Sequence, residues 1–318
     1  MKITALAGGV GAAKFLLGLS REAAPGDITI ISNTGDDIEL FGLHVSPDLD
    51  TVAYTLAGLS DETKGWGLAG DSFECLSWLS RYGEQSWFNL GDRDLATHIH
   101  RSEMLRRGCS LTEATSHICK SLGVQPRLLP MSDDYTPTLI ITDEGEMHFQ
   151  EYFVRRRCEP IVRAVRFANI ESARPAPGVE AAILEADAVV ICPSNPFISI
   201  GPILAVPGVL EALKRTSAAV LAITPIVGGK ALKGPAAEML RDLGHEVSAR
   251  GVARIYGEFL DLFVLDARDE GERRGIEALG MQVIGTDTVM NTIEDKQRLA
   301  ASVVLALREY IGAATQCA

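Results

Sequence analysis

The sequence predicts an α/β fold in which helices cover both faces of a mostly parallel sheet. Three observations carry this. Short apolar runs of strand length recur at 2–7, 28–32, 188–192, 218–224, 262–266 and 282–285. Segments of helical length lie between them, the alternation that parallel strands require. The polar clusters Gly8–Gly11, 33–37, 193–199 and 225–233 each follow a run, and in such sheets ligands bind beyond the carboxyl ends of the strands. We read residues 1–318 as one domain, doubly wound, with a helical insertion at 61–123 that could act as a lid and a small β-hairpin after it.

Composition narrows the class. Hydrophobic residues make up 47% and charged residues 23%, so the chain can bury a substantial core. The net charge of −12 argues against a nucleic-acid partner, because no broad basic surface is available. An anionic ligand must be met locally, by backbone N–H groups, a few basic residues or a metal. The six cysteines show no ligand spacing and read as reduced thiols. No apolar run reaches the ~20 residues that span a bilayer. The expectation is a soluble cytoplasmic protein without a membrane partner.

The first strand, 2–7, leads into Gly8-Gly9-Val10-Gly11-Ala12-Ala13-Lys14 and a helix to about Arg21. A glycine turn at a helix N-terminus can admit a phosphate. This one is neither a P-loop nor a complete GxGxxG, since Lys14 stands at the third glycine's place. A tight turn without a ligand is the plainer alternative. The second strand, 28–32, ends in the turn Asn33-Thr34-Gly35, with Asp36 and Asp37 at its mouth. A helix begins within 45–51, where Ser46 or Asp48 could cap it and Asp50 falls in the first turn. Carboxylates on facing loop ends could hold a hard divalent cation; ordinary turn and capping aspartates are the alternative.

Residues 61–70 read as a loop, and 71–82 and 111–122 as helices. Between the latter two, Asp94 reads as the cap of a helix to about Arg107. Trp66, Trp78 and Trp87 could line a slot for a flat ring or pack a core. Arg93, His98 and Arg101 are candidate anion contacts, whereas His100 reads as solvated. Residues 138–142 and 147–154 form the hairpin strands, and 161–170 continue that layer. The run Arg155-Arg156-Arg157 is either a solvated edge or a phosphate contact. From 179 the alternation resumes: a helix at 179–186, strands at 188–192 and 218–224, a helix at 251–260, strands at 262–266 and 282–285, and a closing helix at 291–311.

The clusters converge on one crevice with N–H donors, Lys230 or Lys233, and carboxylates. That inventory suits a nucleotide diphosphate with a divalent metal. A metal-assisted transferase of a nucleotide-activated group fits it. An NAD(P)-dependent dehydrogenase fits less well, because Ser32 and Asn33 stand where its ribose-binding acid belongs. A non-catalytic nucleotide-binding protein would not need the second acidic pair, Asp48 and Asp50.

The motifs Ala7-Gly8-Gly9-Val10-Gly11-Ala12-Ala13-Lys14, Asn33-Thr34-Gly35-Asp36-Asp37, Pro47-Asp48-Leu49-Asp50-Thr51, Gly91-Asp92-Arg93-Asp94, Met131-Ser132-Asp133-Asp134 and Pro193-Ser194-Asn195-Pro196 occur in this order, followed by Ser199-Ile200 and 225–235. Together they resemble the 2-phospho-L-lactate transferase family of deazaflavin coenzyme F-420 biosynthesis, over residues 2 to about 266. The resemblance implies a Rossmann-like fold, a magnesium requirement and a homodimer. It implies transfer of a phosphorylated three-carbon acid (phospholactyl, phosphoenolpyruvyl or phosphoglyceryl) from a GDP-linked donor to the ribityl hydroxyl of the deazaflavin Fo, with release of GMP. Asp50 and Arg93 match deazaflavin-binding positions. Gly8, Gly9, Gly11, Ser194 and Asn195 match the nucleotide side, to which Asn33, Ser199 and Lys233 are added. Asp37 and Asp50 are the candidates for magnesium and for catalysis.

Overall fold

The computed structural model describes residues 1–317, with side chains at all of them except 258 and 315–317. Seven strands build the central sheet: β1 (Ile3–Ala7), β2 (Ile28–Ser32), β3 (Arg127–Pro130), β4 (Ala188–Ile191), β5 (Ala219–Ile223), β6 (Leu262–Asp266) and β7 (Gln282–Thr286). They lie in the order β7-β6-β5-β4-β1-β2-β3, and every neighbouring pair is parallel. The chain winds outward from β1 through β2 to β3, then returns to the centre and winds the other way. The reversal falls between β1 and β4. Loops leaving two such strands diverge and open a crevice.

Strand alternation distributes the core. Ile3, Ala5, Ala7, Ile28, Ile30, Val190, Leu221 and Val264 face one side. There they meet helix α1 (Gly9–Glu22), helix α2 (Pro47–Leu56) and the closing helix Ile293–Cys317. Leu6, Ile31, Val189, Ile191, Val220 and Phe263 face the other side, against the helices Val179–Leu184, Val209–Arg215 and Ala249–Tyr256. A sheet buried on both faces explains why its strands are apolar throughout rather than alternating.

The long connection from β2 to β3 holds α2 and three more helices, α3 (Glu74–Arg81), α4 (Asp92–Arg106) and α5 (Leu111–Ser121). Between β3 and β4 lies a small antiparallel sheet of Thr138–Thr142, Gly145–His148 and Val162–Phe167. Among the described residues no single helix is long and apolar enough to cross a membrane. The five cysteines with described side chains are free; the side chain of Cys317 lies outside the described residues.

Several local expectations are corrected. β3 was not foreseen, because Arg127-Leu128-Leu129-Pro130 is short and flanked by prolines. The strand expected at 147–154 stops at His148. Phe149 and Phe153 then stack with ring centres 5.5 Å apart, a helical spacing, and Glu151–Arg155 forms one wide helical turn. The hairpin Ile38–Leu40 with Leu43–Val45 was also missed. Its turn residues Phe41 and Gly42 both have positive φ, 55° and 71°, yet Phe-Gly lacks the usual Asn-Gly signature. Asp94 is not a cap: Gly91 caps α4. The arginines at 155 and 156 pair with Glu151 and Glu144 on the surface.

At the end of β6, Asp266 accepts hydrogen bonds from the N–H groups of Arg268 and Thr288 and from the Thr288 hydroxyl, at 3.0, 2.9 and 3.0 Å. These tie the sheet to the segment 287–291. Burial alone would raise this carboxyl, but the hydrogen bonds hold it below the usual range. The unfolded chain therefore binds a proton more readily, and the carboxylate's stabilisation is present above the unfolded pKa of about 3.9 and lost as pH falls through the lower folded value. Asp266→Asn is expected to cost about 1–2 kcal/mol at pH 7. In urea titrations the gap to the parent should narrow steadily as the pH falls below the unfolded pKa of about 3.9; a gap that does not narrow would remove the ionised carboxylate as the cause.

Candidate active site

A cavity of about 770 Å³ opens at the carboxyl ends of the central strands. That is toward the upper end of the range for small-molecule sites. The turn after β1 and the start of α1 contribute Gly8, Gly9 and Gly11, and the segment after β4 contributes Ser194, Asn195 and Ser199. Gly9 has φ +71°, a conformation that a side chain would strain. A Cβ on Gly11 would lie 2.4 Å from the Pro193 carbonyl oxygen, so glycine is what lets these two loops meet.

The acidic side is built by α2 and the loop before it. Asp48 accepts the Gly9 N–H at 2.8 Å through Oδ1 and the Asn33 amide at 2.9 Å through Oδ2. The same Asn33 amide reaches the Ile198 carbonyl at 3.2 Å, and its oxygen accepts the Gly35 N–H at 2.8 Å. Asn33 is thus fully buried behind the cavity rather than in its lining. Asp36 does line the cavity, and its Oδ1 is buried without a partner. Burial, and next the charge of Asp48, push Asp36 well above the carboxylate range. Burial likewise pushes Asp48 up to about 6.

Asp37 points elsewhere. His44 Nε2 lies 2.8 Å from its Oδ2, and the Ser46 hydroxyl donates to the same oxygen at 2.8 Å. Burial still leaves its pKa raised. Ser46 precedes α2 but makes no capping bond. Asp48 and Ser46 are therefore capping residue types that serve other loops.

A second cluster joins α2 to α4. Arg101 grips both oxygens of Asp50 through Nη1, at 3.0 Å, and Nη2. Its side chain is 1% exposed. The acidic neighbours, Asp50 first, raise its pKa against the opposing effect of burial. His98 lies between two carboxylates, with Nδ1 3.6 Å from Asp50 and Nε2 3.3 Å from Asp94. The Tyr54 hydroxyl donates to Asp94 at 2.7 Å. Although burial opposes it, His98, Tyr54 and Arg101 hold the Asp94 carboxyl below the usual range. One ligand atom from each of Asp50, Asp94 and His98 lies within 4.8 Å of the others, close enough to share one metal ion. Asp37 is not in that group.

Of the sequence candidates, Gly8, Gly9, Gly11, Asp50, Ser194, Asn195, Ser199 and Lys233 line the cavity. Asn33 and Asp37 stand behind it, and Arg93 lies outside. The Arg93 guanidinium donates to the Ala69 carbonyl at 2.6 Å, near Asp71, and its side chain is 59% exposed. Trp66 and Phe88 line the cavity, whereas Trp78 lies on the surface against Tyr82 and Arg81. His98, expected as an anion contact, lines the cavity too, as do Asp36 and Asp48, which were named only as members of acidic pairs; Lys14, Tyr54 and Asp94 are lining residues for which no ligand role was expected. Asp36 and Asp48 were visible as acidic pairs with Asp37 and Asp50; choosing between members of a pair requires knowing which way each side chain turns.

Truncating Arg101 would strand a buried charge. Arg101→Met is expected to destabilise the fold by about 3–5 kcal/mol. Asp50→Leu added to it should recover part of that loss in a denaturation series. Additive losses would show that the two residues do not act as a pair.

The profile of the family described as 2-phospho-L-lactate transferase CofD matches residues 3–305. A phosphoenolpyruvate transferase of Kitasatospora aureofaciens is 44% identical over 318 residues, covering 98% of this chain and 99% of its own. A 2-phospho-L-lactate transferase of Methanosarcina acetivorans is 41% identical over 299 residues, covering 94% and 97%. A solved member of the UPF0052 family from Bacillus halodurans superposes with a TM-score of 0.67 over 95% of this chain and 98% of its own, at 16% identity, a likeness of fold. These matches set aside the dehydrogenase and non-catalytic readings. The chain belongs to the 2-phospho-L-lactate transferase CofD family of transferases.

Proposed function

We propose that this chain joins the ribityl hydroxyl of the deazaflavin Fo to a phosphorylated three-carbon acid carried on GDP, releasing GMP and making a phosphodiester precursor of coenzyme F-420. The observation that carries the reading is the make-up of one cavity, where a glycine turn at a helix start, four aspartates and the aromatic residues Trp66 and Phe88 share a lining. A diphosphate suits the first, a metal the second and a flat ring the third. The hydroxyl oxygen bonds to the phosphorus bearing the acid, the phosphorus–oxygen bond to GMP breaks, and GMP keeps that electron pair. The hydroxyl proton passes to a carboxylate. Of Asp50 and Asp37, only Asp50 lines the cavity, which favours it for contact with the acceptor. Arg93 would act on the acceptor through the 69–71 loop that it holds against α4. The protein is proposed to work in the cytoplasm as a homodimer; a monomer mass by light scattering at working concentration would count against the dimer.

Magnesium fits the acidic wall. Its hard-oxygen preference is met by Asp36 and Asp48, two buried carboxylates that repel each other, one with an unpartnered oxygen. Asp37, whose Oδ1 is unpartnered too, does not line the cavity; both oxygens of Asp50 are ion-paired with Arg101, whereas Asp48 accepts only from neutral N–H groups; and the Asp50–Asp94–His98 group includes an imidazole, a softer donor. We therefore assign the ion, expected at Asp37 and Asp50, to Asp36 and Asp48. When bound it would neutralise charge on the transferring phosphate.

The test is turnover with Fo, magnesium and the GDP-linked phospholactate, phosphoenolpyruvate and phosphoglycerate in parallel, with mass spectrometry of the deazaflavin. One new phosphodiester is expected; no product from any donor would overturn the reading. Asp50→Asn should abolish turnover even in the fraction that a melting curve shows to be folded, since it also leaves buried Arg101 without its counter-charge, and a parental rate would remove Asp50 from the mechanism. Asp36→Asn and Asp48→Asn should raise the magnesium concentration for half-maximal rate by about tenfold or more, since second-shell changes alone cost that much. Asp37→Asn should shift it less; the reverse order would return the ion to Asp37.

A further inference from the structure

Between α2 and α3 the chain doubles back as a narrow strap. The Asp61 N–H donates to the Gly67 carbonyl at 3.0 Å, the Ala69 N–H donates to the Leu59 carbonyl at 2.9 Å, and Ser60 and Leu68 form an antiparallel bridge. Asp61 ties the tip, accepting the N–H groups of Thr63 and Lys64 at 3.0 Å each. Gly58 and Gly70 bracket the strap, both at positive φ, 71° and 66°. Its tip residues Lys64, Gly65, Trp66 and Gly67 line the cavity.

The tip is held by a residue 234 positions further along the chain. Lys296 donates to Glu62 at 2.7 Å from the first turn of the closing helix. The Lys296 side chain is 2% exposed, whereas that of Glu62 is 67% exposed. Among the described residues the Lys296 ammonium has no second hydrogen-bond or ion-pair partner. The helix that carries it is fixed, since a Cβ on Gly18 of α1 would lie 2.1 Å from the Lys296 carbonyl oxygen. The bond from Lys296, and next its charge, hold the Glu62 carboxyl below the usual range.

This pairing is unlike the one between Arg101 and Asp50, where both partners are buried on helices. Here a buried ammonium depends on a carboxylate that solvent reaches and a loop carries. Lifting the strap would leave the ammonium unpaired in the interior, and an uncompensated buried charge is what makes breaking such a pair costly. The pair therefore opposes opening.

We propose that residues 59–69 are a lid over the cavity, that the Glu62–Lys296 pair is its latch, and that the closed lid keeps water from the transferring phosphorus. The last clause rests on the transfer reading above. With the lid open, water competes with the acceptor hydroxyl. Its oxygen bonds to the phosphorus, the bond to GMP breaks with the electron pair going to GMP, a proton passes to solvent, and the phosphorylated acid is released free. Closing a site suppresses side reactions of this kind.

Glu62→Gln, Lys296→Met and the double variant test the lid in two ways. Trypsin cleavage after Lys64, followed by mass on the folded protein without ligand, reports the latch alone, because a lone two-stranded hairpin is marginal and frays once its contacts are gone. Each single variant should be cut about tenfold faster or more, the size of a lost hydrogen bond to a charged group. The double variant should be cut no faster than the singles, because both remove one interaction. Lys296→Met leaves no buried charge behind, so it carries the test if Glu62→Gln folds poorly. The second readout is product balance in the turnover assay: GMP and phosphodiester should be equimolar in the parent, with GMP in excess in the variants. Parental cleavage rates in the folded variants would overturn the latch. Faster cleavage with equimolar products would overturn the exclusion of water and leave the latch standing. Faster cleavage in a protein whose parent makes no diester would support the latch, and the exclusion of water would fall with the transfer reading.

Discussion

The site is assembled around one buried carboxylate. Asp48 accepts from Gly9, beyond β1, and from Asn33, beyond β2, while Asn33 reaches Ile198, beyond β4. Three loops that diverge at the reversal of strand order are thereby joined through two side chains. The sheet alone does not achieve this, because parallel strands fix where loops start and not where they go. Buried polar groups that satisfy one another specify a single arrangement, whereas a half-satisfied set would be costlier than an apolar one. Several buried polar atoms around it find no partner, Oδ1 of Asp36 and of Asp37 among them, and of those two aspartates Asp36 borders the cavity. An orphaned carboxylate oxygen on a cavity wall is where a ligand belongs.

The second constraint is charge balance. Arg101 is deeply buried, and it is tolerable there because Asp50 meets its Nη1 and Nη2 and Asp94 and Asp37 add to the surrounding field. A salt bridge of this kind contributes little net stability, but it fixes geometry. It holds α2 and α4 at one separation, and with them Tyr54, Asp94 and His98. The aspartates and lysines that line the cavity are kept apart for the same reason. Had Lys14 or Lys233 met Asp36 or Asp48 directly, the charges would cancel and no ligand would be needed to satisfy them.

The sequence made the framework legible because the sheet is buried on both faces. Its strands read as apolar runs, and the loops between strand and helix kept their glycines and prolines. The edge strand Arg127–Pro130 escaped because it is brief and bounded by proline. The hairpin at Phe41-Gly42 escaped because phenylalanine seldom adopts positive φ, and its position between Leu40 and Leu43 is fixed by packing around Val45, Leu90 and Leu95 rather than by turn chemistry. At the site, the sequence could list the carboxylates but not their directions. Ser46, Asp48 and Asp94 are residues that normally cap helices, and each sits near a helix start. None caps: Ser46 serves Asp37, Asp48 serves Gly9 and Asn33, and Asp94 serves Tyr54 and His98. Local propensity is overridden where tertiary partners offer a better bond, and functional sites are where that is expected.

In the proposed reaction, the choice of three-carbon acid follows a different logic from the rest of the site. Phospholactate and phosphoenolpyruvate carry the same charged groups and differ by hydrogen count and by a tetrahedral against a planar carbon. Neither the aspartates nor the lysines can separate them. Relatives named for either acid are 41–44% identical to this chain over almost their whole length, so overall likeness does not separate them either. Discrimination must come from the uncharged lining, where a methyl-sized difference is worth about 1–3 kcal/mol. Phosphoglycerate is the exception, because its added hydroxyl needs a hydrogen-bonding partner, and a pocket that supplies one rejects the acids lacking it far more strongly than a snug apolar pocket rejects a wrong shape. Selectivity among the first two acids is therefore a matter of packing and would be small at each residue. Selectivity for the third would be visible as a polar side chain left without a partner when the wrong acid binds.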